Sequence, residues 1–186
     1  MKEGRTKFTP PQLKRKDENM PYTLAEFAAD CRAALVNDAG PDGREAVRQY
    51  LIRALKDDAF IAEYLPPEAG AERRILHEDP ELGFCICAHA YRGAKRGKPH
   101  DHGPTWAIYG QVAGETEMTD WELTAPPQDG QPGKVRLSRS YTLTPGDAHC
   151  YDVGDIHAPL RDGPTRLLRI EGQNTEKVTR TPLVAE

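Results

Sequence analysis

Two histidines flank one aspartate in "GKPHDHGPTWAIYG", residues 97–110. Side chains two apart on an extended segment share a face, so His100 and His102 would aim the same way. Pro99 favours that geometry by holding Lys98 extended. A second stretch, "GDAHCYDVGDIHAPL" at 146–160, puts His157 just past a Gly154-Asp155 turn, at a strand start. A β-barrel can bring that third imidazole beside the first pair. Three neutral imidazoles suit iron(II), zinc, copper or nickel. They leave coordination positions open, which is the mark of a catalytic rather than a structural site.

The elements that would position these residues change character along the chain. Residues 1–21 read as a flexible, charged arm with too few apolar residues to pack. The segment 22–66 reads as helical. Thr23 and Glu26 form a capping box, and Leu24, Phe27, Ala28, Cys31, Ala34 and Leu35 recur at helical spacing. A second helix runs through "REAVRQYLIRALKD", with Val47, Tyr50, Leu51 and Leu55 on its apolar face. From about residue 67 to 186, short β-prone runs alternate with turns such as "DPELG", "PPQDGQPG" and "TPGD". That pattern predicts a mainly β sandwich or small barrel behind two amino-terminal helices.

Composition narrows the function. The chain has 186 residues, a net charge of -4 and no basic stripe, so nucleic acid is not an expected partner. No apolar run is long enough to span a bilayer, and the polar first twenty residues lack a signal-peptide core, so no membrane partner and a cytoplasmic location are expected. Cys31, Cys85, Cys87 and Cys150 make no CxxC pair and read as reduced thiols. Cys85, Cys87 and His89 share one strand face in parallel, which suits core filling better than tetrahedral zinc. His149 reads as a partly exposed turn residue, and Asp101 as a cap rather than a ligand.

"PHDHGPTWAIYGQVAGE" and "PGDAHCYDVGDIHAPL" together resemble the two motifs of the cupin superfamily. The likeness is nearest to thiol dioxygenases of the cysteine dioxygenase and 3-mercaptopropionate dioxygenase type. It covers about residues 70–175 and implies a double-stranded β-helix, or jelly-roll, barrel. It also implies mononuclear Fe(II) held by His100, His102 and His157. Trp106 and Ala107 stand where most cupins place a ligating Glu, in keeping with the three-histidine subclass. Ala107 also stands near the Cys that animal cysteine dioxygenases cross-link to a Tyr. Leu167-x-Arg169-x-Glu171 overlays the family's Ser-x-His-x-Tyr relay.

A divalent ion on three neutral ligands keeps its full charge and favours an anionic small-molecule substrate, with O2 as co-substrate. Such a substrate calls for an arginine. Arg73 and Arg74 alternate faces before the HxH segment, and Arg74 is the expected inward one. Arg169 is a second candidate, with an ion pair to Glu171 as the plain alternative. Of Trp106 and Tyr109, one is expected to line the site. Two further readings stay open: a Zn or Ni cupin acting as a Lewis acid in isomerisation or hydrolysis, and a non-catalytic small-molecule binder. Exposed sheet edges would allow a homodimer.

Overall fold

The structure, a computed structural model, describes residues 21–67 and 70–186. The expected arm at 1–21 therefore lies almost wholly outside the described residues.

Helix α1 (Leu24–Asn37) begins at the Thr23/Glu26 capping box, with both reciprocal hydrogen bonds made. Helix α2 (Pro41–Leu55) starts from Gly40 with proline at its first turn, where a missing N–H costs nothing. The chain then starts a third, unexpected helix, α3 (Asp58–Tyr64). The sequence pattern predicts α2 running on through Asp57. Instead Asp57 caps the new helix by accepting from the Phe60 N–H, and it also holds the Tyr22 amide.

Ten strands follow, from β1 (Arg73–Glu78) and β2 (Cys85–Tyr91) through β3 (Lys95–Arg96), β4 (Ala107–Ala113), β5 (Thr116–Ala125) and β6 (Gly133–Leu143). The last four are β7 (Ala148–Tyr151), β8 (Ile156–Arg161), β9 (Thr165–Glu171) and β10 (Leu183–Ala185). They form two five-stranded sheets, ordered β1-β2-β9-β4-β7 and β10-β6-β5-β8-β3. All pairings are antiparallel except the short β10–β6 contact. This interleaving of early and late strands in both sheets is the jelly roll, a double-stranded β-helix barrel. The strand β10 and the two-residue β3 are too short to show a period in the sequence.

Alternation along the first sheet sets the core. Ile86, Ala88, Ile108, Leu168 and Ile170 face the helices and pack with Phe27, Val47, Leu51 and Phe60. The intervening residues face the second sheet, where Ala107, Tyr109 and Tyr151 meet Met118 and Leu143. Helix α2 lies close on β4. A Cβ at Gly110 would sit 3.0 Å from three side-chain carbons of Leu51, which is why a glycine interrupts that strand.

Candidate metal centre

His157 is the second residue of β8, on the inward face shared by Pro159 and Arg161. His100 reaches it by an isolated bridge: each backbone N–H donates to the other's carbonyl at 3.0 Å. His102 arrives differently from the extended geometry expected of HxH. Residues 101–106 form a turn, not a strand. Asp101 accepts from the Gly103 amide, and Gly103 takes a positive φ of 61°. A side chain there would also meet the Thr179 carbonyl, so only glycine suits the turn. Asp101 accepts from the Thr181 amide as well, tying the carboxyl-terminal segment beside the histidines.

The three rings converge. Their centroids lie 4.6 Å (His100–His157), 4.8 Å (His102–His157) and 5.7 Å (His100–His102) apart. One ligand nitrogen from each falls within 4.8 Å of the others. His102 and His157 are fully buried. Burial, assisted by Arg169 and His100, holds the His102 pKa down to about 2. Burial takes His100 to about 4 and His157 well below the ordinary value. All three are neutral near pH 7, the form that ligates a metal. His100 Nδ1 is 2.8 Å from the Lys98 carbonyl. That contact sets the Nδ1–H tautomer and leaves the Nε2 lone pair bare. Nδ1 of His102 and of His157 is buried with no hydrogen-bond partner. Three neutral imidazoles gathered at this spacing fit a bound divalent ion.

Tyr109, on the inward face of β4, stands at the centre. Its hydroxyl is 3.2 Å from His102 Nε2 and 3.3 Å from His157 Nε2. Trp106 goes the other way, into the core under the helices. Of the two aromatic candidates, the structure brings Tyr109 to the histidines and not Trp106.

The arginines separate too. Arg74 points to the helices and donates to the Tyr64 carbonyl at 2.6 Å. It is not brought to the histidines, against the expectation from sequence. Arg73 takes the inward side and pairs with Glu171 at 2.9 Å. Alternation gives two faces but not which one is inside; pairing of Arg73 with His89 across β1–β2 decides it. Arg169 is buried, pairs with Glu171 at 3.1 Å and lies over the Tyr109 ring at 4.7 Å. Its charge also disfavours protonation of all three histidines. The plain ion pair and the place beside the site therefore coexist.

Two further residues stand near the centre, one that the sequence reading passes over and one that it places differently. Tyr151 stacks on His157 with centroids 3.8 Å apart and an interplanar angle of 18°, and its hydroxyl meets that of Tyr141. His149 is no turn residue: it lies on β7 opposite Tyr109, half-buried, 4.7 Å from the Tyr151 ring. The period-two order of "AHCY" was the available signal. Cys31, Cys85, Cys87 and Cys150 are all free. No described helix is long and apolar enough to cross a membrane.

No family model and no curated protein matches the chain. Among solved structures it is similar to a cupin superfamily protein from Desulfitobacterium hafniense, at 14% identity over 53% of this chain and 72% of that one, TM-score 0.39. It is similar to KdgF from Halomonas sp. at 20% identity, covering 59% and 78%, TM-score 0.39. It is similar also to a conserved protein with a double-stranded β-helix domain from Klebsiella pneumoniae, at 16% identity, covering 66% and 81%, TM-score 0.39. The jelly-roll assignment stands on the strand order and register given above.

Proposed function

We propose that the chain is a mononuclear metal enzyme, an iron(II) dioxygenase of the three-histidine type that acts with O2 on a small anionic organic molecule. The observation that carries this reading is the convergence of three neutral imidazoles, two fully buried and one half-buried, with no carboxylate among the clustered ligands. His100, His102 and His157 would hold the ion. Bound iron(II) would supply open positions for substrate and O2 and the redox chemistry between them.

The other parts belong to this chain. Tyr109 offers a hydroxyl at the point on which His102 and His157 converge, where it can donate to a bound ligand atom. The Tyr151 ring closes one side of His157 against water. Arg169 adds positive field from beneath Tyr109. Thiols follow from the motif resemblance, but Leu167, Arg169 and Glu171 stand in place of the Ser-x-His-x-Tyr relay. That replacement favours testing non-thiol acids beside thiols.

The test is metal content of anaerobically prepared protein, then oxygen uptake with cysteine, 3-mercaptopropionate or a β-diketone. Iron near one per chain with oxygen consumed supports the dioxygenase. Zinc or nickel, with no activity gained on exchange for iron, overturns it in favour of Lewis-acid chemistry or ligand binding.

A further inference from the structure

The inward face of β8 also carries a charged residue, Arg161, four residues beyond the neutral His157. It is 3% exposed. Its guanidinium lies over the Tyr91 ring at 4.3 Å. Its Nε is buried with no hydrogen-bond partner, and no carboxylate among the described residues pairs with it.

The other two inward arginines differ. Arg73 is held by Glu171, Asn174 and Glu176. Arg169 has Glu171 and the Thr175 hydroxyl. Both hold their protons more tightly than an ordinary arginine, whereas burial shifts Arg161 the other way. Glu171 is thus one carboxylate facing two cations, and Arg161 is left over. A buried charge with only a ring face for company is among the least favourable arrangements a fold can hold. Glu72, the nearest acidic influence, is exposed and engaged by Lys95 at 2.6 Å.

His89 sits next to this cation. Its Nδ1 is 3.2 Å from the Tyr91 hydroxyl, its ring stacks on Tyr91, and its Nε2 is buried without a partner. Burial and the charges of Arg169, Arg73, Arg161 and Lys95 keep it neutral. Three strands therefore turn unsatisfied nitrogens inward: Arg161 Nε from β8, Arg169 Nε from β9 and His89 Nε2 from β2. Guanidinium groups are the side chains best shaped to take planar oxyanions in a fork.

We propose that Arg161, flanked by His89 and Tyr91, forms an anion subsite in the barrel interior that binds the carboxylate of a small organic acid. The subsite lies along β8 from the histidines. Four residues of strand separate the Cα atoms of His157 and Arg161 by about 13 Å. The acid group is consequently held apart from the atoms that meet the metal. The ligand class is an acid whose metal-seeking group and carboxylate stand at opposite ends of a short chain. That last extension rests on the metal reading above; the anion subsite itself does not.

The test uses the full chain after chelation, so that no metal can hold the anion, titrated calorimetrically at low salt with glutarate and, separately, with inorganic phosphate. Glutarate should bind saturably near one per chain. Arg161→Gln should weaken it by about tenfold or more, as loss of a charge-assisted fork requires. Arg161→Lys, which keeps the charge and guards against a misfolded Gln variant, should fall between. Because the chain is metal-free throughout, a failure of the metal reading leaves this outcome unchanged. Unchanged glutarate affinity in both Arg161 variants overturns the proposal, as does absence of binding to the unaltered chain. Phosphate bound in place of glutarate overturns the carboxylate assignment.

Discussion

The sheet β1-β2-β9-β4-β7 has two faces built from alternate residues of the same strands, and they do opposite things. Toward the helices it presents Ile86, Ile108, Leu168 and Ile170, all fully buried against Phe27, Leu51 and Phe60. Toward the second sheet it presents Cys87, His89, Tyr109, Arg169 and Glu171. One face makes apolar contact, which is non-directional and tolerant of exchange among similar volumes. The other holds charge and hydrogen-bonding groups away from water, where each depends on a named partner. The helices make this division workable: they supply a core on the outside of the barrel, so the inside need not be one.

Four changes would break or sharpen that contrast. Glu171→Gln leaves Arg73 and Arg169 sharing no carboxylate, and should cost about 3–5 kcal/mol in urea unfolding. A loss below about 1 kcal/mol would mean the inner charges are not coupled through Glu171. On the outer face, Ile108→Ala should cost about 2–5 kcal/mol. Its metal content per folded chain should stay unchanged, because no polar partner is disturbed.

The third change concerns pH. His89 is neutral when folded, with its pKa well below the usual value. As pH falls below about 6.5, the unfolded chain takes a proton that the folded chain refuses. Stability is therefore full above that pH and lost below it, by about 1.4 kcal/mol per pH unit for this residue. Arg169, Arg73 and Arg161, which face it, stay charged throughout that range. His89→Gln should make the acid-side slope shallower by that amount; identical slopes would show His89 protonating freely. Smallest is Tyr109→Phe, which removes one hydroxyl and keeps the ring that Arg169 covers. Unfolding free energy should move by about 1 kcal/mol or less, with metal stoichiometry intact. A variant that loses its metal would make Tyr109 part of the ligand set.

What could be read from the sequence follows the same division. The Thr23 cap, the apolar stripe of α1 and the change to β structure after the helices are local patterns, and they appear as read. The three histidines are legible through their motif spacing, although only His100 meets His157 by extended pairing while His102 arrives from a turn. The misreadings share one cause. Alternation says that Arg73 and Arg74, or Trp106 and Tyr109, point oppositely, yet which side is interior depends on long-range pairing. The sequence thus favours Arg74, whereas the β1–β2 pairing turns Arg73 inward. His149 was read as a turn because Gly146-Asp147 precedes it, while pairing with Tyr109 makes it a strand residue. Helix α3 was missed because the cap at Asp57 interrupts a run that is helical on both sides. Arg161 carries no local signal at all; its lack of a partner exists only in the fold.

The most direct measurement is metal content per chain, by mass spectrometry of anaerobically prepared protein, for the unaltered chain and for His100→Ala, His102→Ala and His157→Ala. The account predicts about one divalent ion for the first and almost none for each variant, with the barrel still folded by circular dichroism. A variant that keeps full stoichiometry would remove that histidine from the centre, and metal retention in all three would contradict the three-histidine site.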